Sequence, residues 1–183
     1  MQIQYESAFK GLENHILEVI KEEQIKIGYR SEIIRLYYPI ESICNLLGTS
    51  YTVTELFKVL DQFCEFVKER LGIVEYSNTE TRFCFTIPPK GVDYVHESID
   101  ENYFLRDFIE KISIHDCSLE DLLNIFYKYS SNVVCEKMNN GEFDYLIYFT
   151  DGKPDAYRYC IKFEDCHTIY HRFIKADYEN FGF

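Results

Sequence analysis

The stretch Val133–Phe173, VVCEKMNNGEFDYLIYFTDGKPDAYRYCIKFEDCHTIYHRF, decides the fold class of this 183-residue chain. Phe143, Tyr145, Ile147 and Phe149 alternate with Asp144, Leu146, Tyr148 and Thr150, and side chains repeat every two residues only in an extended strand. Asn140-Gly141 can take the positive φ angles of a tight hairpin, and Asp151-Gly152-Lys153-Pro154-Asp155 supplies a second turn. The stretch therefore predicts three or four antiparallel strands in a meander.

Working back from that sheet, Ser118 and Asp121 have the spacing of a capping box, in which two side chains satisfy backbone N–H groups that a first helical turn leaves unpaired. They precede Leu119, Leu122, Leu123, Phe126 and Tyr129, which recur at helical spacing, as do Phe104, Leu105, Phe108, Ile109 and Ile112 in the helix before. A polar link near Ser98–Glu101 separates these from the N-terminal half. There Phe9, Leu12, Ile16, Val19 and Ile20 predict an amphipathic helix over about 6–26, ended by Gly28. Ile33 to Tyr38 is a β-branched and aromatic run stopped by Pro39, followed by a short helix from about Ile40 to Leu47.

A second capping box, Thr52 with Glu55, starts a helix running to Leu71. Its apolar positions include Val53, Phe57, Cys64 and Phe66 besides the main stripe, which predicts a helix covered on more than one side. Ile73–Tyr76 and Phe83–Ile87 then read as strands about the turn Ser77–Glu80, closed by Pro88-Pro89, since neither proline can donate to a ladder. The expected fold is α+β, with a helical N-terminal half of winged-helix-like element order and a C-terminal antiparallel β-meander packed on helices. The chain reads as one domain, 1–183, with room for two lobes of about 1–97 and 102–183. A capped helix followed by two strands occurs at 52–87 and again at 118–149, without any long residue identity between them.

Hydrophobic residues make up 46% of the chain and aromatics 17%, with 16 Tyr, 15 Phe and no Trp. That supply of apolar surface excludes disorder, and a chain of this length buries roughly 70% of its unfolded surface. Nineteen Lys and Arg stand against 31 Asp and Glu, a formal charge of −12. Nucleic acid and anionic membranes are bound by neutralising phosphates, so neither is an expected partner. Seven cysteines occur without a CxxC pair, and neither a charged-then-apolar leader in 1–11 nor an apolar run near 18 residues is present. These features predict a cytoplasmic protein with reduced thiols.

The strong catalytic signatures, a phosphate loop, a GxSxG elbow, HExxH or a dinucleotide fingerprint, are missing. Two weaker constellations remain. His115, Cys117, Cys166 and His167 are the residue types that hold zinc, which needs three or four ligands within about 2.0–2.3 Å of one point. His171 follows His167, but in a strand the two stand four residues, roughly 13 Å, apart. Tyr94, His96 and Glu97, in VDYVHE just after the Pro-Pro turn, would place a histidine beside a carboxylate in a loop, as a general base is oriented. Arg30 and Arg35, among Tyr29, Tyr37 and Tyr38, can bind an anion or cover the rings. Asp61 and Glu65 read as a solvated helix face.

The segments EEQIKIGYRSEIIRLYYP (22–39), RFCFTIPPKGVDYVHE (82–97), GEFDYLIYFTDGKPDAYRYC (141–160) and CHTIYHRF (166–173) resemble a family of small proteins from anaerobic Gram-positive bacteria, a domain of unknown function. The resemblance covers Leu12 to Tyr178. It implies a stand-alone bacterial cytoplasmic protein and carries over no catalytic residue, cofactor or partner. The expected function is a non-enzymatic protein-binding or regulatory module, or a homodimer, with no cofactor required. The alternative is a small enzyme or metal-binding protein using the His/Glu or Cys/His cluster, zinc being the metal.

Overall fold

The computed structural model describes residues 2–139, 141–165 and 167–174, without the side chains of 2–4. The chain divides into two compact units, one ending at Asp100 and the other beginning at Glu101.

The first unit opens with α1 (Gln2–Ile27), β1 (Ile34–Pro39) and α2 (Ile40–Leu46), continues with α3 (Val53–Leu71), β2 (Glu75–Asn78) and β3 (Arg82–Ile87), and closes with α4 (Pro89–Ser98). Its strands are antiparallel in the order β1-β3-β2. Element order and strand order together are those of a winged helix. The Thr52–Glu55 capping box forms as its spacing predicts, and Gly72 closes α3 at φ +79°. Leu12, Ile16 and Ile20 of α1, Leu56, Leu60, Phe63 and Val67 of α3, and Phe83, Phe85 and Ile87 of β3 form the core. Because β1 and β3 alternate, the faces that bury Leu36, Tyr38, Phe83 and Phe85 turn Arg35, Tyr37 and Arg82 to solvent.

One ion pair crosses this core. Glu13 of α1 is 5% exposed and accepts from both Nε and Nη2 of Arg70 in the last turn of α3. Arg70 also lies over the Phe66 ring, 5.1 Å from its centroid.

One expectation changes here. Pro88-Pro89 does not end a hairpin in a loop: Pro88 is the N-cap and Pro89 the first residue of α4, where a missing N–H costs nothing. VDYVHE is thus helical. Gly91 lets α4 start this close to α3, for a Cβ there would lie 2.7 Å from Ile87 Cγ2 and 2.9 Å from the Leu71 carbonyl oxygen. Helix α3 is covered on more than one side, as expected, by Phe9 of α1, Phe85 of β3 and Gly91 of α4, while its outer edge stays open. Val53 and Phe57 are each 37% exposed.

The second unit contains α5 (Tyr103–Ile112), α6 (Leu119–Tyr129) and four strands, β4 (Val133–Lys137), β5 (Tyr145–Phe149), β6 (Arg158–Glu164) and β7 (His167–Phe173). They form the predicted antiparallel meander in the order β4-β5-β6-β7. The Ser118–Asp121 capping box is formed. Lys137 pairs with Tyr145, so the β4–β5 connection spans 138–144 and is not a tight hairpin; its Asn140 lies outside the described residues. Phe104, Phe108, Phe126, Phe149 and Tyr159 pack ring to edge, with Phe104 and Phe126 centroids 4.8 Å apart. Asp155, 4% exposed, is the polar hub of this unit. It accepts from Asn102 Nδ2 at 2.8 Å, the Tyr157 N–H at 2.8 Å and the Tyr159 hydroxyl at 3.1 Å.

Candidate functional site

Tyr94, His96 and Glu97 lie on α4. Consecutive helical residues diverge by about 100°, so the carboxylate does not orient the imidazole as it would in a loop. His96 instead stacks on Tyr29, ring centroids 3.8 Å apart and planes 11° off parallel. The Tyr29 hydroxyl donates to Asp93 Oδ1 at 2.9 Å, and that carboxylate holds the Tyr29 phenol above its usual range. Tyr94 packs against the core of the first unit. The three side chains do not converge, and none of them lines either of the two hollows of the first unit described below.

The Cys/His set separates by strand geometry. Cys117 is buried beside Thr168 of β7, and burial pushes its thiol up against the opposing pull of Lys111 and that threonine hydroxyl. His167 is the next residue to Thr168, so it faces the other side of the sheet, where its Nε2 lies 3.2 Å from Glu164 Oε2. His115 is exposed in the connection between α5 and α6. Among the described residues no three His, Cys, Asp or Glu side chains are grouped to hold a metal ion; Cys166 lies outside them. Two other thiols sit where burial disfavours the thiolate: Cys64 is pushed up to about 12 and Cys160 to about 11.

Helix α3, which holds the place of the reading helix in a winged-helix-like element order, exposes Val53 and Phe57 one turn apart. Its cations are largely engaged. Lys68 pairs with Glu65 at 2.9 Å and Arg70 with Glu13, which leaves Lys58 between Glu55 and Asp61, three residues to either side. Asp61 accepts from the Tyr76 hydroxyl at 2.6 Å; burial first, and then this carboxylate, push the phenol up. The wing between β2 and β3 carries Thr79, Glu80 and Thr81. Neither the helix nor the wing presents a basic row.

Two hollows among the described residues of the same unit bear on the arginines. One, of about 140 Å³, lies at the end of α1 between Ile27, Ile33 and Val92, with Arg30 on its rim. The other, of about 250 Å³, lies on the solvent face of the sheet between Arg35 and Arg82. Arg30 and Arg35, neighbours in sequence, therefore serve different surfaces. The pairing of Arg35 with Thr86, and of Tyr37 with Cys84 and thence Ser77, puts the two arginines on either side of a low central row. The Cys84 thiol, hydrogen-bonded to Tyr37, pushes that phenol up, with Arg35 opposing. Tyr37 is 62% exposed. Sequence reasoning separated these residues because Arg35 and Arg82 meet only through the register of β1 on β3. The signal that could have found them is the period-2 alternation in both strands, which sets each arginine opposite its strand's apolar face.

A family profile described as a domain of unknown function, named from E. rectale (DUF3877), matches residues 9–182. The chain belongs to this family. No curated protein matches the chain, and no solved structure matches it. Among the described residues, no helix is long and apolar enough to cross a membrane.

Proposed function

We propose that this member of the family is a non-enzymatic protein-binding or regulatory module of the bacterial cytoplasm, built on a winged helix that engages a protein and not nucleic acid. The observation that carries the proposal is the exposed face of α3. A helix that reads DNA offers several free cations to phosphates, and each one displaces counterions. On α3 two of the three cations are held by Glu65 and Glu13, while Val53 and Phe57 are exposed in their place. Exposed apolar side chains rimmed by mixed charge are the composition of a protein-binding surface. The partner is a different protein or a second copy of the chain, the edge strands of both sheets allowing either.

The alternative, a small enzyme or a metal-binding protein, draws on His96 with Glu97 or on the Cys/His set. It has less support, because these side chains point to different surfaces.

Two measurements test the proposal. Titration of a labelled DNA duplex at 50 and 150 mM salt is expected to give no salt-dependent binding; a steep salt dependence would sink it. Recovery of a partner from the native host is expected to fail for Val53→Glu and Lys58→Glu, which leave the α3 core untouched. Equal recovery by both variants would remove α3 as the binding face.

A further inference from the structure

We infer that the hollow on the solvent face of the β1-β3-β2 sheet receives a phosphorylated side chain of the protein partner, an inference that rests on the protein-binding function proposed above. Basic residues are the minority in this chain, 19 against 31 acidic, and most of those in ion pairs meet a carboxylate close in sequence or across a helix contact. Arg35 and Arg82 are in no ion pair among the described residues, yet both line one concavity. They approach it from opposite ends. Arg35 sits opposite Thr86, four residues along β3 from Arg82, which sets the two Cα rows about 13 Å apart. Both side chains line the hollow, with Tyr37 and shorter residues between the two ends.

Those short residues, Ser77 and Cys84, form the floor, and Thr86 adds a hydroxyl. A carboxylate is satisfied by one fork, whereas two forks from opposite sides suit a tetrahedral dianion with three free oxygens. Glu75 occupies the same cross-strand row as Thr86, and it does not line the hollow. Size argues for a group and against a whole metabolite. At about 250 Å³ the hollow falls below the roughly 300–1,000 Å³ of pockets that enclose a complete small ligand. Presentation argues for a peptide: β1 is an edge strand, so an extended segment laid beside it would pass next to Arg35 and Tyr37.

The test uses the full chain with 15N-labelled arginine, following the Nε–Hε signals of Arg35 and Arg82 by NMR. The probes are a Gly-Gly-phosphoserine-Gly-Gly peptide, its unphosphorylated form, inorganic phosphate, and sulfate at matched ionic strength. Saturable shifts of both signals by the phosphopeptide alone are expected, weakened about ten- to hundredfold in Arg35→Ala and in Arg82→Ala, each with an unchanged near-UV circular dichroism spectrum. Three outcomes would overturn the inference: no saturation, an equal response to sulfate or to the unphosphorylated peptide, or a signal of the remaining arginine that saturates as tightly in Arg35→Ala or Arg82→Ala as in the unaltered chain. Saturation by inorganic phosphate without the phosphopeptide would overturn the partner assignment. Failure here with loss of partner recovery in Val53→Glu would leave the protein-binding function standing and remove only this site.

Discussion

Removing Arg70 and removing the charge of Glu13 are expected to have unequal effects, although both break the same pair. Glu13 is 5% exposed, while the Arg70 side chain is 35% exposed. In Glu13→Gln the guanidinium can turn to water, and the amide keeps one hydrogen bond. That variant should lose about 1 kcal/mol, the scale of one hydrogen bond to a charged group partly replaced. In Arg70→Ala a carboxylate stays buried without its counter-charge, and the packing of the guanidinium on Phe66 is lost as well. The loss should be about 3 kcal/mol, at the lower end of the range for breaking a buried pair because one partner already reaches solvent. With a urea m-value of about 2 kcal/mol/M, the midpoints fall by roughly 0.5 and 1.5 M. Adding Glu13→Gln to Arg70→Ala removes the stranded charge, so the double variant should be more stable than Arg70→Ala alone. Additive losses in the double variant, or a Glu13→Gln loss as large as that of Arg70→Ala, would refute the reasoning.

Gly91→Ala should cost about 2 kcal/mol by thermal or urea unfolding, because its Cβ meets the Leu71 carbonyl oxygen at 2.9 Å and backbone cannot step aside; a neutral substitution would mean that α4 shifts freely on α3. Asp155→Ala strands the Asn102 amide, the Tyr157 N–H and the buried Tyr159 hydroxyl, with an expected loss of about 3 kcal/mol and earlier proteolytic cutting in the second unit. The carboxyl of Asp121 is held down at about 2 by Lys111 first and by Ser118 next. A carboxyl depressed on folding stabilises the native state above its unfolded value near 3.9 and loses that contribution as pH falls toward 2. Lys111→Met should therefore flatten the acid limb of the stability profile between pH 4 and 2, and an unchanged profile would contradict this origin.

Much of the fold was legible because its signals are local. Both capping boxes name a helix start by two residues three apart, and the alternation from Phe143 to Thr150 names a strand. What the sequence concealed depends on contacts between distant segments. The start of α4 offered only Val92 and Val95 as apolar markers, beside a glycine that normally argues against a helix. That glycine is there because Leu71 lies against it, a fact written 20 residues upstream. Ile73 looked like the opening of a strand, yet it is 71% exposed, and β2 begins two residues later at Glu75. The exposure of Phe57 on α3 was hidden for the same reason, since only packing distinguishes a flank from a core position. At the sites, the strand spacing correctly separated His167 from His171, and the same alternation sets Cys117 and His167 on opposite faces. That Arg35 and Arg82 line one hollow needed the β1–β3 register, which no local pattern contains.

The most direct test of a winged helix turned to protein recognition is photo-crosslinking from α3 itself. Val53 is replaced by benzoylphenylalanine in the native host, cells are irradiated, and the adducts are treated separately with nuclease and with protease. Adducts that resist nuclease, collapse with protease and disappear when Lys58→Glu is added are the predicted result. Adducts that collapse with nuclease would contradict it.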